Sequence, residues 1–509
     1  MDQIKKIPYK WLATLVVVIG IFMVNLSTSI VNLSVTKMMQ DFNVSLDQIQ
    51  WVVSVYTLTL GAVIPSTGYL SERFGLKKTF VVALGLFTAG SALCGIAWNE
   101  MAVIAFRIVQ GLGGACIISL GMTILMTSFD KKEMGMVTGV IGVCVMAAPA
   151  LGPTLGGYII ENLDWRFVFF INVPVGVIGT FLAMLILRET ETKTSSRLDI
   201  VGLVTSAAGM TCLLYVLGKS DVDWGDFSNV MLLMIGCFSL LIFVVNELMI
   251  SEPLLNLRLL KDYTFCMSNI IMNIATLALY GGVFLMPIFL QQLKGLSPMQ
   301  AGLILFPEAI ATAVSMMLYG KFANKLDTRI FAITALLLIG VNSYNMTQIT
   351  LETSDLTITM LLLIRGFGVG FLTGPVQAIG FSTLPKSAMA NASALMNTVK
   401  QVGASIGLTI ITTIMQHQAA IHYGDLSQQV NSFNPSSVNL YKQIQGLLMQ
   451  NGASSLDAQS GALSLIFGTV AKQAQLLAMN DTMMVICFFT FVIILPTLFL
   501  KVKKQGEAL

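Results

Sequence analysis

The sequence predicts an all-helical membrane protein with fourteen crossings, and three observations lead there. Of its 509 residues 55% are hydrophobic and 11% charged, its mean hydropathy is +0.80, and its apolar residues fall into runs of bilayer-spanning length. A soluble domain carries about 25% charged residues, so a water-soluble globule is excluded. A crossing helix needs roughly 20 mostly apolar residues, because it rises 1.5 Å per residue through hydrocarbon about 30 Å thick. Such runs lie near 11–35, 50–70, 79–97, 101–127, 135–159, 167–187, 200–218, 228–249, 265–290, 299–319, 330–349, 356–379, 391–415 and 480–500. The first follows Lys5, Lys6 and Lys10 as a signal peptide would, but it is too long and lacks a small-residue cleavage site, so it stays as a span.

An even number of spans puts both termini on one side. With that side cytoplasmic, twenty of the 29 basic residues fall in inward segments, among them Arg73, Lys77, Lys78, Arg188 and Arg329. Six face outward and three lie within spans. That asymmetry fixes the orientation by the positive-inside rule. The net charge of +3 therefore reports topology rather than an anionic partner, and no nucleic-acid partner is implied. All seven cysteines lie in apolar runs and read as free thiols. The polar stretch 416–478 is expected outside as an extracellular loop, its apolar piece 462–470 being too short to cross and reading instead as a surface or partly re-entrant cap. His417 and His422 are five apart and do not share a helix face as paired metal ligands would, so no metal or other cofactor is expected.

The chain repeats itself. Gly68-Tyr-Leu-Ser-Glu-Arg-Phe-Gly-Leu-Lys-Lys78 returns weakly as Gly320-Lys-Phe-Ala-Asn-Lys-Leu-Asp-Thr-Arg329, and Arg107-Ile-Val-Gln-Gly-Leu-Gly-Gly114 returns as Arg365-Gly-Phe-Gly-Val-Gly370. Internal repeats mark transporters. The division expected is a six-helix bundle over 1–198, two inserted helices over 199–264, and a second six-helix bundle over 265–509.

Polar residues recur at helical spacing on the first helix of each half: Asn25, Ser29, Asn32 and Thr36, then Asn269, Asn273, Thr276 and Tyr280. They predict a shared central cavity; hydrogen bonding that only binds helices together is the alternative for any one of them. Ionisable groups within a span cost at least about 2.5–3.5 kcal/mol on insertion scales, which makes Arg107, Arg365, Lys400 and Glu308 functional candidates. Glu308, behind Pro307, is the only acid deep in a span on this reading, and a carboxyl there suits a proton carrier unless a permanent salt bridge holds it.

These motifs together resemble the major facilitator superfamily, and within it the fourteen-span drug/proton antiporter family (EmrB/QacA type). The resemblance covers nearly the whole chain. Gly68, Glu72, Arg73, Gly75 and Lys77 match the family's cytoplasmic-gate signature, with Glu72 where the family usually has aspartate. Arg107, Gln110, Gly111 and Gly113 match its fourth-span motif. Pro149, Gly152, Pro153, Gly156 and Gly157 resemble the antiporter motif of span five. Asp164 to Gly176, Glu252 to Leu260 and Asn397 to Gly403 fit patterns of the fourteen-span group, and Lys400 stands where the family often has arginine.

The resemblance implies a major facilitator fold, alternating access, and export of an amphiphile against protons, with Glu308 and Arg107 in coupling. Asn25, Ser27, Ser29, Asn32, Asn269, Asn273, Tyr280, Arg365 and Lys400 are expected around the substrate. The setting implied is a bacterial plasma membrane, with the protein as a monomer and the bilayer, protons and a small amphiphile as its partners. One departure counts: the family's span-one aspartate is replaced by Ser27 in Leu26-Ser-Thr-Ser-Ile-Val-Asn32. A hydroxyl carries no proton of that kind, which keeps an uncoupled facilitator or a lipid-like flippase open, and makes neutral, zwitterionic or anionic amphiphiles better candidates than lipophilic cations. ATP-driven pumping is not expected, since Gly218-Lys-Ser220 lacks the glycine a P-loop needs at 213. Nor do the spans hold the constellation of an enzyme.

Overall fold

The computed structural model describes residues 8–129, 133–190, 199–218, 225–250, 253–322, 327–431 and 433–500. Its first half comprises α1 (Tyr9–Phe42), α2 (Leu46–Val63), a 3-10 turn (Ile64–Ser66), α3 (Thr67–Phe74), α4 (Leu76–Gly95), α5 (Glu100–Ser128), α6 (Met134–Asn162), α7 (Phe167–Phe170) and α8 (Asn172–Ile186). The inserted pair is α9 (Ile200–Leu217) and α10 (Phe227–Met249). The second half opens with α11 (Tyr263–Tyr280), which continues through two π-helical segments, Gly281–Leu285 and Phe289–Leu293, on either side of α12 (Met286–Ile288). It goes on as α13 (Pro298–Phe322), α14 (Thr328–Met346), α15 (Asp355–Ser382), α16 (Met389–Gln429), α17 (Pro435–Gln450), α18 (Ser455–Val492) and α19 (Ile494–Leu498). Thirteen helical stretches among the described residues are long and apolar enough to cross a membrane. With α6, 29 residues long and lying between the fourth and sixth crossings, there are fourteen.

Helices are the form a crossing chain takes because bilayer hydrocarbon offers backbone groups no hydrogen-bond partner. Their starts are written locally: Ser45 and Gln48 form a capping box on α2, and the side chains of Asn99, Asp199, Asp226, Asp327 and Ser354 accept backbone N–H groups at the starts of α5, α9, α10, α14 and α15. Between crossings, lipid is as apolar as leucine, so close packing holds the bundle. At the α4–α5 crossing a Cβ on Gly113 would stand 2.6 Å from the Phe87 nitrogen, and one on Gly90 2.6 Å from the Gln110 nitrogen; only hydrogen fits at either place. The Asp164-Trp165-Arg166 turn fastens the far end of α1, with Trp165 Nε1 donating to Asp41 Oδ2 at 2.7 Å.

One apolar core lies wholly in the second half and another wholly in the first. The largest joins the halves: Phe129 and Leu125 of the first share it with Phe381, Leu384, Met389 and Leu395 of the second. This joint lies on the face where α1 begins, called here the basic face after its lysines and arginines. The halves also meet along α6 and α13.

The expected loop 416–478 is corrected by the structure. α16 runs 41 residues and α18 runs 38, about 60 Å each at 1.5 Å per residue, roughly twice the thickness of the hydrocarbon. Both continue past the membrane, and α17 packs beside the first part of α18 as an antiparallel hairpin. Hydropathy scanning finds crossings and misses helices that stand in water. The signals present were caps: Asn434 accepts from the Ser436 N–H and Ser454 from that of Asp457. His422, expected in solvent, pairs with Asp481 at 2.7 Å.

Overpacking a close crossing costs typically about 1–3 kcal/mol. Gly113→Leu is therefore expected to lower the thermal stability of the purified protein by that order. Gly157→Ala, where a Cβ meets nothing within 4 Å, is expected to leave it unchanged. Unfolding of the two variants in one detergent, followed by intrinsic fluorescence, makes the comparison.

Candidate functional site

Arg107 of α5 is 1% exposed. Its Nε donates to the Val52 carbonyl at 3.0 Å, and its Nη1 donates to Gln110 Oε1 at 2.7 Å and to Ser27 Oγ at 3.2 Å. Gln110 in turn donates to Ser91 Oγ at 2.7 Å and to Ser27 Oγ at 3.3 Å, and the Tyr56 ring lies 4.0 Å from the guanidinium. The cation is held by a carbonyl, an amide, a hydroxyl and a π face. Ser27 is fully buried in this network.

Its repeat mate is held differently. Arg365 of α15, 2% exposed, forms an ion pair with Glu308 of α13, and its Nη2 donates to the Leu279 carbonyl of α11 at 2.6 Å. Gly282, in the first π-helical segment, lies directly against the guanidinium and leaves no room for a side chain there. A π-helical insertion changes the carbonyl pattern of a helix and often marks a functional site. Here the segment begins one residue after Tyr280, next to the carbonyl that Arg365 takes.

Between the halves, Lys400 of α16 is exposed. It sits on the turn where Gln401 comes within 3.8 Å of the position of a Cβ on Gly61 of the first half, and Gly403 faces Asn273 of α11. Among the described residues no carboxylate pairs with it. Asn32 is also exposed.

The other expected cavity residues are more enclosed. Asn25 donates to the Ile21 carbonyl at 2.8 Å, Asn269 to that of Phe265 at 2.8 Å and Asn273 to that of Asn269 at 2.9 Å. Each donates its amide N–H to its own helix, one turn back, while the Asn269 Oδ1 is buried without a partner among the described residues. Asn269 is 3% exposed. Ser29 packs on Gly152 of α6, and Gly156 packs on Ile30, which gives the span-five glycines a shared role in bringing α6 against α1. α6 is helical through positions 149 and 153; the side chains of Pro149, Pro153, Thr36 and Tyr280 lie outside the described residues.

The basic face carries a latch and a clasp. Across the halves, Asn391 Nδ2 of α16 donates to Glu72 Oε1 of α3 at 2.6 Å, beside Gly68, and Ser393 Oγ donates to the Ser119 carbonyl of α5 at 2.8 Å. Within the first half, Gly75 turns the chain at φ +92°, a conformation that side chains rarely take. The next residues start α4, and the Glu189 carboxylate accepts from Lys77 N at 3.1 Å and Lys78 N at 3.3 Å, while Thr190 Oγ1 accepts from Leu76 N at 3.2 Å. A carboxylate on a helix N-terminus suits the dipole there. Arg73 closes the last turn of α3.

Sequence reasoning named Gly68, Glu72, Arg73, Gly75 and Lys77 but missed their partners Asn391, Glu189 and Thr190, which lie over a hundred residues away and carry no local signal. It also missed two buried acids, Asp199 at the start of α9 and Glu247. Glu247, in the last turn of α10, is fully buried and accepts from Leu255 N at 3.1 Å. That bond explains the Glu252 to Leu260 run: Leu254 and Leu255 plug the joint core, and Arg258 donates to the Leu248 and Ile250 carbonyls at the end of α10. Glu252 itself lies outside the described residues.

Two helical halves, repeat-related arginines buried in each, and a latch between them on one face define a secondary transporter. The profile of the Major Facilitator Superfamily matches residues 17–408, and the chain belongs to that family of transporters, not to the enzymes. It is 33% identical over 97% of its length to 93% of the uncharacterised MFS-type transporter YhcA of Bacillus subtilis. It is 30% identical to the multidrug export protein EmrB of Escherichia coli, with 88% of each chain covered, and 28% identical to the fatty acid resistance protein FarB of Neisseria gonorrhoeae, with 96% of this chain and 95% of that one covered. In fold it is similar to the human organic anion transporter MFSD10, with a TM-score of 0.59 at 12% identity over 95% of this chain and 100% of that one.

Gly75→Val is expected to abolish most transport while leaving membrane insertion and yield intact, because a side chain at that φ both strains the turn and displaces Glu189. Uptake into everted vesicles normalised to the amount of inserted protein measures it; normal transport would overturn the gate assignment.

Proposed function

We propose that this protein is a proton-coupled exporter of amphiphilic compounds that works by alternating access. It sits in a bacterial plasma membrane with the basic face and both termini in the cytoplasm. The basic residues support the orientation through the positive-inside rule, and the export roles named for EmrB and FarB support the direction.

The observation that carries the coupling is the pairing of Glu308 with Arg365, because Arg365 also holds a carbonyl of α11. A proton arriving at Glu308 neutralises it and releases the guanidinium from α13. The packing of α11, α13 and α15 then shifts with the charge state of one carboxyl, which is the kind of two-state element a transport cycle uses. Each charge moved inward is worth about 2.3 kcal/mol per 100 mV. Arg107 acts as the fixed counterpart in the first half, its partners being neutral in this conformation.

The charges of the interior bear on the substrate. Glu308 is committed to Arg365, Arg107 is held by neutral groups, and Lys400 is exposed with no carboxylate partner among the described residues. A site with that balance disfavours lipophilic cations and suits neutral, zwitterionic or anionic amphiphiles. Ser27 supports a second reading, an uncoupled facilitator or lipid-like flippase, since its hydroxyl stands in the Arg107 network where the family's carboxylate is expected.

Substrate-induced proton release from acidified everted vesicles separates the two readings, with cationic, neutral and anionic amphiphiles added to wild type and to Glu308→Gln. The wild type is expected to release protons with the neutral or anionic compounds and the variant, equally inserted, to release none. Equal responses would move the proton site elsewhere. Movement of labelled substrate by the wild type without any proton release would establish the facilitator.

A further inference from the structure

A pocket open on one side lies between α11–α12, α16 and α18. Its volume is about 400 Å³, within the range of about 300–1,000 Å³ typical of small-molecule sites. Phe284, Ile288 and Met415 form its floor, and alanines at 419, 471 and 474 thin its walls. Gln416, Tyr423 and Gln475 stand at its edge and Thr412 adds a hydroxyl; among the described residues no lysine, arginine or acidic side chain lines it. The place along the membrane follows from helix length. α16 starts on the basic face at Met389, and after about 20 residues, roughly 30 Å, it has crossed the hydrocarbon. Met415 and Tyr423 therefore lie at and beyond the opposite membrane boundary, where the helices of an exporter meet its product.

The floor of this pocket and the coupling pair share one piece of backbone. In the π-helical segment Gly281–Leu285, Gly282 lies against the Arg365 guanidinium and Phe284, two residues on, lines the pocket. Whatever fills the pocket bears on the segment that Arg365 leans against. Two sites that bias one element are linked, and the linkage is reciprocal.

We propose that this pocket is a second ligand site, which receives the alkyl chain of the transported single-chain amphiphile on the exit side and is linked through the 281–285 segment to the Glu308–Arg365 pair. The proposal rests on the export reading for the identity of the ligand. The uncharged lining leaves the polar end of the molecule in water at the edge formed by Gln416, Tyr423 and Gln475. The pocket lies at and beyond the far end of the roughly 30 Å of hydrocarbon that α16 crosses, where the acyl chains of a bilayer lipid do not extend, which argues for the transported molecule over a bilayer lipid.

The test uses the full-length protein in nanodiscs and a long-chain fatty acid carrying a diazirine at its chain end, with photolabelled peptides mapped by mass spectrometry. The expected result is labelling of the segments around Phe284 and Met415–Tyr423, competed by the unlabelled fatty acid and mostly lost in Ala471→Trp, a change at an exposed wall position. In Glu308→Gln the half-labelling concentration is expected to shift about five-fold or more, the lower range of coupling between linked sites. Labelling confined to the central cavity overturns the site. Labelling competed by added phospholipid but not by the fatty acid assigns the pocket to bilayer lipid and overturns the proposal. An unchanged half-labelling concentration in Glu308→Gln overturns the linkage. Because labelling needs no turnover, failure of the vesicle assay would strike the export reading alone and leave this result standing.

Discussion

An ionised side chain inside hydrocarbon has to find its counterpart within the protein, and the second half of this bundle is arranged around the place where Glu308 meets Arg365. The constraint follows from the low dielectric, in which an unpaired charge is far costlier than in water. It explains why Arg365 reaches across to both α13 and α11, why glycine stands at 282 beneath the guanidinium, and why α11 departs from regular α-helix immediately beyond the carbonyl that Arg365 takes. Three helices are thus tied to one pair of charges, and neutralising either member loosens all three contacts together.

The first half answers the same constraint without a carboxylate. Arg107 occupies the repeat-equivalent position but relies on the Val52 carbonyl, Gln110, Ser27 and the Tyr56 ring. A cation held only by dipoles and a π face has nothing nearby to be protonated in its place, so its environment changes little as protons come and go. The repeat places two arginines at matching positions, one paired with a carboxylate and the other held by hydroxyl and amide groups. On the coupling proposed above, the asymmetry assigns proton-dependent movement to the second half, and that half also carries the extended helices α16 and α18.

The fold was legible where the sequence obeys the physics of the bilayer. Long apolar runs, polar caps at their ends, and basic residues gathered on alternate connections are all consequences of local rules, and crossings such as α5 and α15 could be located within a few residues. The stretch 416–478 was misjudged because hydropathy measures the cost of leaving water, and helices that remain in water give no such signal. The candidate site divided along similar lines. Glu308, Arg365 and Lys400 stood out because a charge in a span is rare, whereas Glu189 and Asn391 are ordinary polar residues whose importance lies in what they reach. Asn25 and Asn269 were expected in an open cavity on helical periodicity, which identifies a face but not whether that face meets space or another helix; Ser27 was expected there on the resemblance alone.

In the alternating-access cycle proposed above, latch and clasp have different duties. The clasp of Glu189 and Thr190 on the start of α4 lies within the first half, so it keeps the α3–α4 turn moving as one body with the rest of that half. The bonds of Asn391 to Glu72 and of Ser393 to the Ser119 carbonyl cross between halves and must break when the basic face opens. Only a turn held rigidly by the first can present Glu72 to the second, and Gly75 is where the two requirements meet. A net hydrogen bond to a charged group contributes about 1.5–3 kcal/mol, small enough for binding or protonation elsewhere to offset. A latch of that strength suits the proposed cycle: it would select one conformation at rest and yield when substrate and proton bias the other.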